Sequence, residues 1–307
     1  MAAKTTHNYK LVDDKGDLKE SIAELKGKLE RNTLLAVDCE GLSLSRKGAL
    51  TILTVATEEK AYIFDVLKLG QAVFSEGLGE MLEDKSREKL MFDCRQDSDA
   101  LWHQFNVKLT GVLDLQLLEI LCRHRRTASG SQSSARNKRR RCQITDEVEN
   151  ISGFRRCLER YLGDVDLVRK KEKGMQAVKL DEEVWKKRPL SDDLIQYLIV
   201  DTITMFRLYN KMKNPNEDEQ ARLRVASERY VDFYRGRRER NYNKYERNAY
   251  LALDIIPEKG RIDFAVGDTA CTGCKRKFPQ DEFPEKRLSI GDQKCRVCMA
   301  VEKDWRY

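Results

Sequence analysis

The chain has 307 residues, with 58 lysines and arginines against 51 acids, a net charge of +7 and 40% hydrophobic residues, enough for one large domain or two smaller ones with packed cores. No apolar run approaches the ~18 residues of a membrane-spanning helix, and Met1 to His7 is too polar for a secretory signal, so an intracellular chain with no membrane segment is expected. The basic excess is local: residues 123–141 hold eight Lys and Arg and no acid, and without them the balance is 50 basic to 51 acidic.

Leu18, Ile22, Leu25 and Leu29 recur at helical spacing and predict a helix over 17–29. Strands are expected at 34–38, 50–56 and 61–64. Only short turns separate them, so they should form an antiparallel meander. A helix follows over 73–82, a short strand over 89–92, and helices over 98–105 and 114–122. Residues 123–142 are Ser-rich and basic without apolar periodicity, and read as a disordered loop. Helices resume over 154–162 and from Ser191, an N-cap followed by Asp192 and Asp193 in the first turn. Residues 218–250 predict one long charged helix, and from about 268 a small cysteine-bearing segment begins. Strands first, then strands alternating with helices, indicate an α/β fold with a mixed sheet flanked by helices.

Within the first strand lies Asp38-Cys39-Glu40. Residues two apart on a strand share a face, so both carboxylates can aim at one point, and like charges that close call for a cation between them. A hard divalent ion with oxygen ligands, Mg²⁺ or Mn²⁺, suits such a site; two solvated acids at a strand end are the alternative. Two further acidic signals follow. Asp97 sits where a strand end runs into a helix, in Phe92-Asp93-Cys94-Arg95-Gln96-Asp97-Ser98-Asp99-Ala100-Leu101, and Asp99 is its neighbouring competitor. Tyr197 and Asp201 stand four apart on the helix after Ser191 and so share a face. That spacing also occurs at Tyr9/Asp13 and Tyr250/Asp254; its weight comes from its order after the other acids and its periodic helix.

In this order the motifs resemble the DEDD superfamily of 3′–5′ exonucleases, in the subclass with a tyrosine in the third motif. Asp38 and Glu40 match motif one, Asp97 motif two, and Tyr197 with Asp201 motif three. Val112-Leu113-Asp114-Leu115-Gln116 and Arg188-Pro189-Leu190 resemble flanking segments of the family, and the likeness covers roughly residues 10–212. The stretch from Asp93 to Leu101 is similar to exonuclease-domain proteins of the piRNA-pathway and Egalitarian type, some of which are thought to bind RNA without degrading it. The chain departs at Phe92, where many relatives carry His. The resemblance implies an RNase H-like fold and two Mg²⁺ or Mn²⁺ ions held by Asp38, Glu40, Asp97 and Asp201. Tyr197 would orient the attacking water rather than act as a base, because its reference pKa is near ~10.

Cys271-x2-Cys274 and Cys295-x2-Cys298 are separated by twenty residues, a pattern that signals one structural zinc ion in a closed four-thiolate site, with disulfides as the alternative. Phe278, Phe283 and Trp305 are candidates to cover it. Nine cysteines, an odd number without a signal, fit a reducing compartment, cytoplasmic or nuclear. The basic segment 123–141 could bind RNA, act as a nuclear-import signal through its 136–141 run, or be a solvated insertion. The Arg- and Tyr-rich segment 230–247 could stack bases or simply pack its aromatics on the preceding domain.

The expected organisation is an exonuclease domain over 1–212 with the 123–142 insertion, a helical extension over 213–267 and a zinc module over 268–307. Two functional readings remain: a 3′–5′ exonuclease on single-stranded RNA, or an RNA-binding adaptor with little turnover. A homodimer, or a protein partner on the zinc module, is compatible with either. A DNA substrate is also open.

Overall fold

The computed structural model describes residues 8–29, 34–129, 150–239, 243–246, 248–257 and 267–304. They form two compact units: residues 1–118, 153–213 and 227–237, and residues 119–152, 214–226 and 238–307. Among the described residues no helix is long and apolar enough to cross a membrane.

The first unit is built on a six-stranded mixed sheet. Its strands are β1 (Asn8–Val12), β2 (Leu35–Leu42), β3 (Ala49–Ala56), β4 (Lys60–Asp65), β5 (Lys89–Met91) and β6 (Val112–Asp114), in the order β1-β4-β3-β2-β5-β6. β2, β3 and β4 form the expected antiparallel meander. β1 adds parallel to β4 at one edge, and β5 and β6 add in parallel beyond β2. β3 is buried along nearly its whole length, which matches a run in which Thr51 and Thr54 are the only polar residues. Helices α1 (Lys15–Leu29), α2 (Arg95–Phe105), α4 (Val165–Leu180) and α5 (Asp192–Met212) accompany the sheet. The Ser191 hydroxyl accepts from the Leu194 N–H, so α5 begins at the expected cap.

Several expectations are corrected. Asp114 ends a strand rather than opening a helix, and α3 starts after it at Leu115–Ser129. Residues 123–129 are therefore helical and not part of a loop. Glu119 receives the Arg123 guanidinium one turn later at 2.8 Å, an i,i+4 pair that extends the helix into the basic segment. Residues 130–149, with the rest of the predicted insertion and the 136–141 run, lie outside the described residues. The long helix of 218–250 is α6 (Glu217–Arg235) only. Gly236 follows at once, the residue with most freedom to lose in a helix, and Asn243 and Asn248 then bend the chain by accepting from Tyr245 N and Tyr250 N. Residues 154–162 split into a helical turn, Phe154–Cys157, and a wider π-type turn, Leu158–Leu162; the 73–82 stretch splits in the reverse order, a π-type turn, Phe74–Leu78, with Gly77 out of helical conformation, and then a helical turn, Gly79–Glu83. α4 carries no signal in the apolar pattern.

Lys89 ties the strand that precedes α2 to its surroundings. It is wholly buried, and its ammonium donates to the carbonyls of Asp84, Arg87 and Thr110 at 2.7, 2.9 and 3.0 Å. Lys89→Met should cost about 2–3 kcal/mol, because the three carbonyls lose their shared ammonium; the Asp84 carbonyl keeps the Arg87 N–H as a second donor. Urea denaturation measures this, and a loss below about 0.5 kcal/mol would mean that the carbonyls find other donors.

Candidate functional site

β2 brings Asp38 and Glu40 to one face, with the buried Cys39 between them on the other. The strand bulges at Glu40/Gly41. Gly41 is required there, since a Cβ would lie 1.9 Å from the Ala49 carbonyl oxygen. α5 packs on β2 and β3 and presents Tyr197 and Asp201, one turn apart, to the same place. Arg188 steadies the approach to α5 through Asp65 (2.8 Å), and the buried Trp185 ring lies 5.9 Å from that of Tyr197.

Carboxylate oxygens of Asp38, Glu40 and Asp201 lie within 4.8 Å of one another. Asp97 is not in this trio. It sits in the first turn of α2 and accepts the Cys39 N–H at 3.0 Å, so one oxygen is committed to the β2 backbone between the two acids. It is still near enough for its charge to raise the pKa of both Asp38 and Glu40. Asp99 faces elsewhere, buried in an ion pair with Arg46 at 2.8 Å. Asp114 is also buried. It accepts from the Cys94 and Gln116 N–H groups, both at 2.9 Å, and so pins the start of α2 to the end of β6. Phe92, where a histidine was the family expectation, stacks edge-on with Phe154 at 5.0 Å.

The electrostatics suit a cation. Burial pushes Glu40 up to about 8, opposed by the charge of Lys171, and Asp97 up to about 7, opposed by backbone N–H donors. Burial and the neighbouring carboxylates also raise Asp38, and burial raises Asp201. Asp38 Oδ2 and Asp201 Oδ1 are buried with no hydrogen-bond partner, a cost that a bound cation would remove. Hard oxygen donors of this kind fit Mg²⁺ or Mn²⁺. A raised pKa keeps a carboxylate protonated where an ordinary one is ionised, and a metal ion binds only the ionised form. Divalent-ion affinity should therefore climb with pH through about 7 to 8, where Asp97 and Glu40 lose their protons, with proton release. Mn²⁺ calorimetry in buffers of differing ionisation enthalpy measures both, and a pH-independent affinity would contradict the arrangement.

Lys171 is the residue that sequence reasoning missed. It lies on α4, buried, and pairs with Asp201 Oδ2. Its ammonium stands 3.9 Å from the Tyr197 ring centroid and 5.3 Å from that of Phe154. The buried positions Leu167, Lys171 and Gly174 are spaced i, i+4, i+7 after the Asp164 N-cap, and this is the one signal that could have revealed them.

In the second unit, Sγ atoms of Cys271, Cys274, Cys295 and Cys298 lie within 4.8 Å of one another. Cys271–Cys298 and Cys274–Cys295 are 3.6 and 3.7 Å apart. Thiolates at ~2.3 Å from a tetrahedral ion are about 3.8 Å apart, whereas a disulfide would bring two sulfurs to ~2.0 Å. Phe283, Val297 and Val301 close the core around them, with Phe278 packed against it; Trp305 lies outside the described residues. Arg276 is not a surface charge. It turns inward, with Nε 3.2 Å from Cys274 Sγ and Nη2 3.0 Å from buried Asp254. Of the 230–247 segment, Tyr230, Phe233 and Tyr234 are buried in the first unit. The Tyr230 hydroxyl donates to Gln116 at 2.7 Å, and the Arg95 guanidinium lies 4.7 Å over its ring.

A family model described as a 3′–5′ exonuclease matches residues 9–216. The piRNA biogenesis protein EXD1 of Mus musculus is 27% identical over 306 residues, covering 91% of this chain and 50% of its own length. Its Homo sapiens counterpart is 30% identical over 180 residues, covering 59% of this chain and 32% of its own. The chain thus spans half or less of the length of these curated relatives. Among solved structures, Trypanosoma brucei RNase D in complex with GMP has a TM-score of 0.64 at 24% identity, covering 95% of this chain and 82% of that one. The T. brucei RNase D complex with RNA U12 has a TM-score of 0.60 at 25% identity, covering 89% and 84%.

Proposed function

Because this chain belongs to the 3′–5′ exonuclease family, we propose that it is a metal-dependent exonuclease that hydrolyses RNA from the 3′ end and releases nucleoside 5′-monophosphates. The observation that carries this reading is the convergence of Asp38, Glu40 and Asp201, with two buried oxygens lacking partners. The likeness to an RNase D solved with RNA supports RNA as the substrate class.

Asp38, Glu40, Asp97 and Asp201 would hold two divalent ions, Mg²⁺ or Mn²⁺. Bound there, the ions would lower the pKa of a water and neutralise charge on the leaving oxygen. Tyr197 positions that water through its hydroxyl. Burial and the surrounding acids raise its pKa well above the usual tyrosine value, so it stays protonated and donates. Asp97 keeps β2 and the start of α2 in register through the Cys39 N–H. The four cysteines would hold one structural zinc ion, with no position left open for chemistry. On this reading residues 1–212 are the catalytic domain, 213–267 a helical extension and 268–307 the zinc module. The protein works in the cytoplasm or nucleus.

A second reading is an RNA-binding adaptor of the piRNA pathway with little turnover. It is favoured by Lys171, which already pairs with Asp201, and by the names of the curated relatives. A time course on 5′-labelled single-stranded RNA with Mg²⁺ or Mn²⁺ separates the two. Shortening from the 3′ end supports the exonuclease; binding without shortening supports the adaptor.

A further inference from the structure

We propose that Lys171 is a resident cation of the carboxylate site: its ammonium takes a place beside Asp201 that one of two divalent ions would otherwise hold. The resting site then binds one divalent ion tightly and the second weakly. The inference rests on Asp38, Glu40, Asp97 and Asp201 being the ion-holding acids.

Three observations carry it. Lys171 reaches Asp201 Oδ2, while Asp201 Oδ1 and Asp38 Oδ2 stay buried without partners. One oxygen of Asp201 is thus neutralised by the chain itself, and the other is left for an ion. The ammonium is also caged. The Tyr197 ring lies 3.9 Å from it and the Phe154 ring 5.3 Å, and both ring faces attract a cation. Its backbone, finally, is fixed. One turn along α4, Gly174 packs so closely on Tyr197 that a Cβ would lie 2.2 Å from ring atom Cδ2. A larger residue there would push α4 from α5 and withdraw Lys171, and with glycine the two helices seat together.

Charge counting points the same way. Four ionised carboxylates are balanced by two divalent ions, but with one ammonium already present a second divalent ion brings an excess positive charge. In a buried site that repulsion weakens the second ion by about tenfold or more.

The test is Mn²⁺ titration of the full-length, zinc-loaded protein, followed by calorimetry and by the electron paramagnetic resonance of free Mn²⁺. The native chain should take one ion with a second at least about tenfold weaker, and Lys171→Met should take two of comparable affinity. Because Lys171→Met leaves Asp201 buried without a partner, at a cost to folding, the native chain supplies a second readout. Acylation of Lys171 by an N-hydroxysuccinimide ester, read by mass spectrometry, should be slow without Mg²⁺ and rise as the second ion expels the ammonium. Two equivalent ions in the native chain, or Lys171 acylation indifferent to Mg²⁺, would overturn the proposal. No Mn²⁺ uptake by either protein, with Asp38→Ala/Glu40→Ala titrating as native does, would instead remove the ion-holding reading on which it rests.

Discussion

The Asp38→Ala/Glu40→Ala protein is expected to bind single-stranded RNA at least as tightly as the native chain, yet to shorten it on the order of 10³-fold more slowly, a loss of ~4 kcal/mol of transition-state stabilisation. The expectation follows from where the two carboxylates sit. They share one face of β2, they meet Asp201 within 4.8 Å, and Asp38 carries one of the two partnerless buried oxygens. Removing both leaves Asp201, already paired with Lys171, and Asp97, tied to the β2 backbone, which is too few donors for two ions. The fold should survive, because the core contacts of β2 come from Leu35, Ala36, Val37 and Cys39. Two buried like charges are also removed, which relieves repulsion. The assay is the labelled-RNA time course alongside filter binding. Equal binding and no shortening by either protein would reject catalysis and leave the adaptor.

Much of this site was legible in the sequence because its carriers are regular. The meander β2-β3-β4 is written in continuous apolar runs broken by short turns. Within it, Asp38 and Glu40 stand out as charges where a buried strand should have none. Tyr197 and Asp201 lie on a long, strongly apolar helix with a readable cap. What escaped was encoded by contacts between distant segments. β1 is a five-residue edge strand, largely exposed, that exists because β4 offers it parallel partners. β6 is three residues long and merges into the apolar start of α3, so Asp114 reads as a helix opening until β5 is seen beside it. α4 buries a lysine and a glycine where a pattern search looks for leucines. Its buried face is set by the aromatic rings and the carboxylate it meets, none of them nearby in sequence. Lys171 was invisible for that reason, whereas Asp97 was found by motif although its first partner is a backbone N–H.

Stripping the metal from the four-cysteine site, by chelation or by Cys271→Ser, is expected to unfold residues 267–304 cooperatively while β2 to β4 stay protected. The local core is small. Among the described residues its buried members are Cys271, Cys295 and Cys298 with Phe283, Val297 and Val301, while Cys274, Tyr245, Tyr250, Leu253, Phe278 and Leu288 pack around them only partly buried, and the two strands there, β7 (Thr269–Ala270) and β8 (Lys277–Phe278), have two residues each. So little apolar surface cannot offset the conformational entropy of the segment, whereas apparent zinc-binding energies in small four-ligand sites reach roughly 10–16 kcal/mol. The surroundings are built for thiolates. Arg276 donates to Cys274 Sγ, and the Cys295 N–H donates to Cys271 Sγ at 3.3 Å. Buried Asp254 in turn holds Arg276 and accepts the Val297 N–H, so the cation that would offset an anionic metal–thiolate cluster is itself fixed in place. One zinc ion per chain by elemental analysis, lost together with hydrogen-exchange protection over 267–304, is the expected result. Protection that persists in metal-free protein would make the cysteines packed thiols, held by the apolar side chains around them.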